Sequence, residues 1–188
     1  MKFLKNNFLV KFVVTLFFIG LIIGIGYHLT FRPNLGDTLE IFKEMILGTH
    51  QNTFLTSIVV ISAIFILSLS VIGMPVILFY VFYEGVSIGY TLIAFILTYH
   101  FKGAVFYLLF FIISKLIFLV LVGYFSIMSL RYIATFLDHF FSKNKSELYK
   151  TIVYHFYRFA IVLGIAIINC GLIYLFANKL IRLFINLI

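Results

Sequence analysis

The chain has 188 residues, of which 64% are hydrophobic and 11% charged, and its mean hydropathy is +1.19. A water-soluble domain carries about 25% charged residues, and a globule of this length could not bury so much apolar surface, so the solvent must be partly lipid. The net charge of +8 and pI near 9.6 would point to nucleic acid in a soluble protein. Here the basic residues fall mostly between apolar runs, where they set topology and meet anionic headgroups, and no nucleic-acid partner is expected.

The apolar runs are long and continuous, which predicts helices rather than the alternating segments of about 10 residues that build a β-barrel. The expected fold is an all-α integral membrane protein. It forms a single polytopic domain over residues 1–188, with about five transmembrane helices and short amphipathic interfacial helices. The first span is predicted over residues 9–29 and reads as an uncleaved helix rather than a signal peptide; its Gly20 and Gly24 share one face. Thr30 to Thr53 is the most polar stretch, and Leu39, Phe42, Met45 and Ile46 recur at helical spacing, as in a helix lying on the membrane surface.

The second span is predicted over residues 54–72. Gly73-Met74-Pro75 then breaks the helix, because proline lacks an N–H and restricts the residue before it. A loop or a re-entrant hairpin would both satisfy that break. The third span covers residues 76–98, and a short polar link, Tyr99 to Gly103, leads to the fourth, residues 104–128. Arg131 to Lys150 is a mostly helical connector, residues 154–176 make the fifth span, and Asn178 to Ile188 reads as an interfacial tail. With the N-terminus inside, eight lysines and arginines face the cytoplasm (Lys2, Lys5, Lys11, Arg131, Lys143, Lys145, Lys150, Arg158) against five outside (Arg32, Lys43, Lys102, Lys179, Arg182). That bias places the N-terminus in the cytoplasm and the C-terminus outside the cell membrane.

Two charges lie deep inside spans. A lone ionised side chain at the bilayer centre costs at least about 2.5–3.5 kcal/mol. Glu84 and Lys115 stand at similar depth on either side of the turn near Phe101, and they are expected to form an intramembrane ion pair that orients the two helices. Gly85 and Gly89 form a Gly-x-x-x-Gly face that lets another backbone approach closely, either within the chain or from a docking partner. The five histidines show no metal-ligand spacing, Cys170 is the only cysteine, and no phosphate loop or nucleophile elbow occurs. No metal, cofactor or catalytic set is therefore expected, and the chain is not read as an enzyme.

The segment Ser70-Val71-Ile72-Gly73-Met74-Pro75 through Glu84-Gly85-Val86-Ser87-Ile88-Gly89-Tyr90, followed by Lys102-Gly103, resembles the stage II sporulation protein M family. That family has a Gly-x-Pro turn, an apolar run, a Gly-x-x-x-Gly with a following aromatic, and a Lys-Gly pair at the next turn. The chain departs from it in having Glu84 where a base is common, and no proline in Ile112 to Leu116. The resemblance makes Gly73, Pro75, Gly85 and Gly89 packing or partner-docking residues. It implies a non-enzymatic scaffold that anchors and localises a peptidoglycan-degrading complex during forespore engulfment, with the stage II sporulation proteins D and P as partners besides the lipid bilayer. The alternative reading, from the residues alone, is a subunit of a transporter or permease using the Glu84 and Lys115 pair.

Overall fold

The computed structural model describes the backbone of residues 6–31, 49–111, 115–141 and 145–185. Among these residues everything is helix or turn. The elements are α1 (Asn6–Phe31), α2 (Thr49–Ser68), α3 (Gly73–Phe111), α4 (Ile117–Phe141) and α5 (Lys145–Ile185). The surface helix expected around Leu39 to Ile46 lies outside the described residues. Among the described residues, four stretches are long and apolar enough to cross a membrane: Phe8–Phe31, Gly73–Thr98, Ile117–Phe141 and Glu147–Leu172, with Thr56–Ser68 as a shorter apolar helix. Their outer faces are apolar, with Ile22 at 67% and Ile168 at 65% exposure, which suits contact with acyl chains and not with water. The protein is a multi-pass, all-helical membrane protein.

The predicted boundaries shift at three places. α2 ends at Ser68, ahead of the glycine and proline expected to break it. Leu69 to Ile72 form tight turns in which the Gly73 N–H donates to the Ser70 carbonyl at 3.1 Å and the Ile72 N–H to Ser70 Oγ at 3.2 Å. Pro75 then sits in the first turn of α3, where its missing N–H costs nothing. Gly73 is there because a Cβ would run into the Leu67 carbonyl. At the far end, α5 continues to Ile185 in one helix, with no break at the expected junction of span and tail.

The third shift is at the polar link. The reversal is made by one residue, His100, with φ 53° and ψ −135°, and the helix continues on both sides of it. The stretch after it folds back on the stretch before it. Tyr107 donates its hydroxyl to the Ile88 carbonyl at 3.2 Å, lies 3.1 Å from Thr91 Oγ1, and packs its ring on Phe95. Farther along, Val122 shares one core cluster with Ile77, and Leu130 shares another with Val81. The described parts of the span predicted over residues 104–128, residues 104–111 and 115–128, thus run antiparallel to residues 73–98, and α4 carries the same direction on to Phe141. The described residues of the connector are helical, as expected, and His139 Nδ1 of α4 lies 3.4 Å from the Glu147 carboxylate of α5.

Two layers result. α1 lies along α3. α2, α4 and α5 enclose a core of Ile61, Ile64, Phe65, Val122, Phe125, Val162 and Ala166, which Ile77 of α3 joins. A second cluster, Leu9, Val13, Val81 and Leu130, ties α1 and α3 to α4. Apolar contacts gain little over lipid in a bilayer, so close packing decides which helices adhere.

Three outcomes follow, each readable by denaturant titration of the purified protein in mixed micelles. Gly24→Leu is expected to lose at least about 2 kcal/mol, because any Cβ there meets the Val86 carbonyl, whereas Gly164→Ala, with nothing within 4 Å, should be neutral or gain up to about 1 kcal/mol. His100→Gly should gain about 1 kcal/mol, since only glycine adopts that backbone conformation without strain.

Candidate interhelical seam and lateral groove

The seam between α1 and α3 is made from two Gly-x-x-x-Gly faces set into each other. A Cβ on Gly20 would strike the Phe82 carbonyl, and one on Gly24 the Val86 carbonyl. In return, a Cβ on Gly85 would strike the Phe17 carbonyl, and one on Gly89 the Leu21 carbonyl. Each glycine of one helix therefore seats the backbone of the other, and all four are buried. Above the seam, His28 meets the Tyr90 ring edge to face at 4.7 Å. The sequence singled out Gly85 and Gly89 and noted Gly20 and Gly24, but it could not pair them. The structure gives Gly85 and Gly89 to packing inside the chain, with α1 covering the face that a partner would need. Gly73 and Pro75 belong to the turn between α2 and α3, Gly73 buried and Pro75 exposed.

Glu84 precedes this seam on α3, eleven residues from its start at Gly73. At 1.5 Å per residue that is about the middle of a hydrocarbon layer roughly 30 Å thick. The Tyr80 hydroxyl, one turn back, donates a hydrogen bond to Glu84 Oε1. Lys115 is half-buried in a widened, π-type turn just ahead of α4. Counted from His100, Glu84 is 16 residues away and Lys115 is 15. No ion pair between the two is found among the described residues, where His139 pairs with Glu147 instead. Residue counting gives the depth of a side chain along its helix but not its direction around the axis. Glu84 is turned toward α1 and α4.

There it lines a lateral groove of about 610 Å³ between α1, α3 and α4. Val14 and Phe17 of α1 form one wall, and Val120 and Gly123 of α4 form the other. Val14 and Val120 are exposed, so the groove opens sideways toward lipid. Arg131 lines its end near the start of α1. A carboxylate in this position is expensive in hydrocarbon, and one tyrosine hydroxyl satisfies only part of its capacity to accept hydrogen bonds.

In the sequence His155 stands out only as one of five histidines without metal-ligand spacing. In the structure it is 2% exposed and lies between helices. Its ring stacks on Tyr132 at 4.0 Å, with Phe65 at 5.4 Å and Phe125 at 5.8 Å. Ser68 Oγ donates to the Phe65 carbonyl at 2.6 Å and so accepts from His155 Nε2–H at 2.7 Å, which sets the tautomer. Nδ1 has no hydrogen-bond partner among the described residues. Next to this cluster, Arg158 lies over the Tyr154 ring at 4.0 Å and donates to Met128 Sδ at 3.1 Å. The arrangement ties α2 to α5 and is structural. Its only signal in the sequence was a histidine among aromatics, too common a pattern to act on. Among the described residues no three of His, Cys, Asp and Glu gather as a metal site, and Cys170 is a buried free thiol.

Ser68→Ala should cost about 1–3 kcal/mol by leaving His155 Nε2 without an acceptor. Adding His155→Phe should recover most of that loss, because the walls of the site are aromatic rings, and a double-mutant cycle on unfolding in mixed micelles measures the coupling. Compared with known proteins, the chain matches no family model, no curated protein and no solved structure.

Proposed function

We propose that this protein is a multi-pass scaffold of the cell membrane, without catalysis of its own, that holds other membrane proteins in place. The observation that carries the reading is the glycine-interlocked pair of α1 and α3, a stiff unit that presents an apolar groove containing Glu84 to the surrounding lipid. A chain whose strongest packing device is spent internally, while an acidic side chain is left on a lateral face, is suited to receive a neighbour in the plane of the membrane.

The orientation proposed is N-terminus inside and C-terminus outside. The packing of Leu9 and Val13 with Leu130 and Met74 supports one shared side for the N-terminus, the Gly73 turn and the end of α4. That grouping agrees with the excess of lysine and arginine counted for the cytoplasmic side. At the finer level, the resemblance to the stage II sporulation protein M family makes a peptidoglycan-degrading complex the proposed cargo, with the stage II sporulation proteins D and P as partners. The transporter alternative requires Glu84 and Lys115 to act together, and nothing in their positions favours it.

Affinity capture of the full chain from its native membranes in mild detergent, with mass-spectrometric identification, tests this proposal. The expected outcome is co-purification of membrane-anchored wall hydrolases. Recovery of the chain without protein partners, together with solute flux through vesicles containing it alone, would overturn the scaffold reading in favour of transport.

A further inference from the structure

We propose that the lateral groove between α1, α3 and α4 seats a transmembrane helix of a partner protein, one that carries a lysine or arginine at mid-membrane depth to meet Glu84. This inference rests on the scaffold reading and names the chemistry by which the partner is recognised.

Three observations converge on that occupant. Glu84 stands near the middle of its span on the groove wall, and Tyr80 is its hydrogen-bond partner; it makes no ion pair among the described residues. An acyl chain could fill the volume but would leave the carboxylate in hydrocarbon, whereas a cation on a neighbouring helix would match it. Gly123 lies on the facing wall, and a Cβ built there meets nothing within 4 Å. It is a gap through which a second backbone can approach α4, as the paired glycines allow between α1 and α3. The groove also opens sideways between Val14 and Val120, so a helix can enter from the bilayer without the bundle unfolding. Gly85 and Gly89, already covered by α1, need play no part in docking.

The test uses the full chain in phosphatidylcholine vesicles, with Cys170→Ser and Gly123→Cys. The probe is a synthetic leucine–alanine transmembrane peptide about 20 residues long, bearing one central lysine and one cysteine a turn away. Disulfide cross-linking to the lysine peptide should exceed that to an otherwise identical leucine peptide about tenfold, and Glu84→Gln should abolish the difference. Val120→Trp, which fills the groove and leaves Glu84 in place, should lower cross-linking of both peptides and serves as the second variant if Glu84→Gln does not fold. Equal cross-linking of the two peptides, a preference that survives Glu84→Gln, or dominant cross-linking between two copies of the chain would overturn the proposal. Capture from native membranes separates this from the scaffold reading. Partners retained by both the wild type and Glu84→Gln, with no peptide preference, would sink the groove and spare the scaffold. A lysine preference in a chain that captures no protein would do the reverse.

Discussion

The fold depends on one contact, the mutual seating of backbone and glycine between α1 and α3. In water a helix pair is held mainly by removing apolar surface from solvent. In lipid that term nearly vanishes, because acyl chains are as apolar as leucine, and close van der Waals approach takes its place. Gly20 and Gly24 accept the carbonyls of Phe82 and Val86, while Gly85 and Gly89 accept those of Phe17 and Leu21. Because the fit is reciprocal over more than one turn, it sets both the register and the rotation of α3 relative to α1. The direction of every other side chain on α3 follows from it.

Glu84 shows the consequence. It adjoins Gly85 in sequence, so once Gly85 faces α1 the carboxylate must lie about 100° around the helix from that contact, at the edge of the seam. There it meets the gap between α1 and α4 and not the interior of the five-helix packing. The core of the other layer is built on different terms, from aromatic stacking around His155 and Phe125 and the hydrogen bond to Ser68 at the end of α2. One layer is thus joined backbone to backbone and the other by large side chains. The groove lies where they meet, because α4 touches α1 mainly through the cluster of Leu9, Val13 and Leu130 near one end.

Much of this was legible in the residues. Helical class, membrane environment and the internal option for Gly85 and Gly89 all rest on length, hydropathy and small-residue spacing, which are local properties, whereas the span expected over residues 104–128 has its apolar helix farther along, at Ile117–Phe141. The first turn was misplaced, since the tight turns from Leu69 end α2 before Pro75 is reached, whereas the second was found: His100 reverses the chain inside the link expected from Tyr99 to Gly103. A lone turn residue held in a strained conformation by the packing of Tyr107 on Ile88 and Thr91 leaves no trace in local propensity.

By itself, then, the amino-acid sequence determined the solvent and the element type, since both depend on how many apolar residues stand in a row. Only the tertiary structure decided direction. It turned Glu84 away from Lys115, set Gly85 and Gly89 against Gly20 and Gly24, and enclosed His155 among rings. The physical reason is that rotation about a helix axis is chosen by what lies beside it, and the neighbours of α3 come from residues far away along the chain.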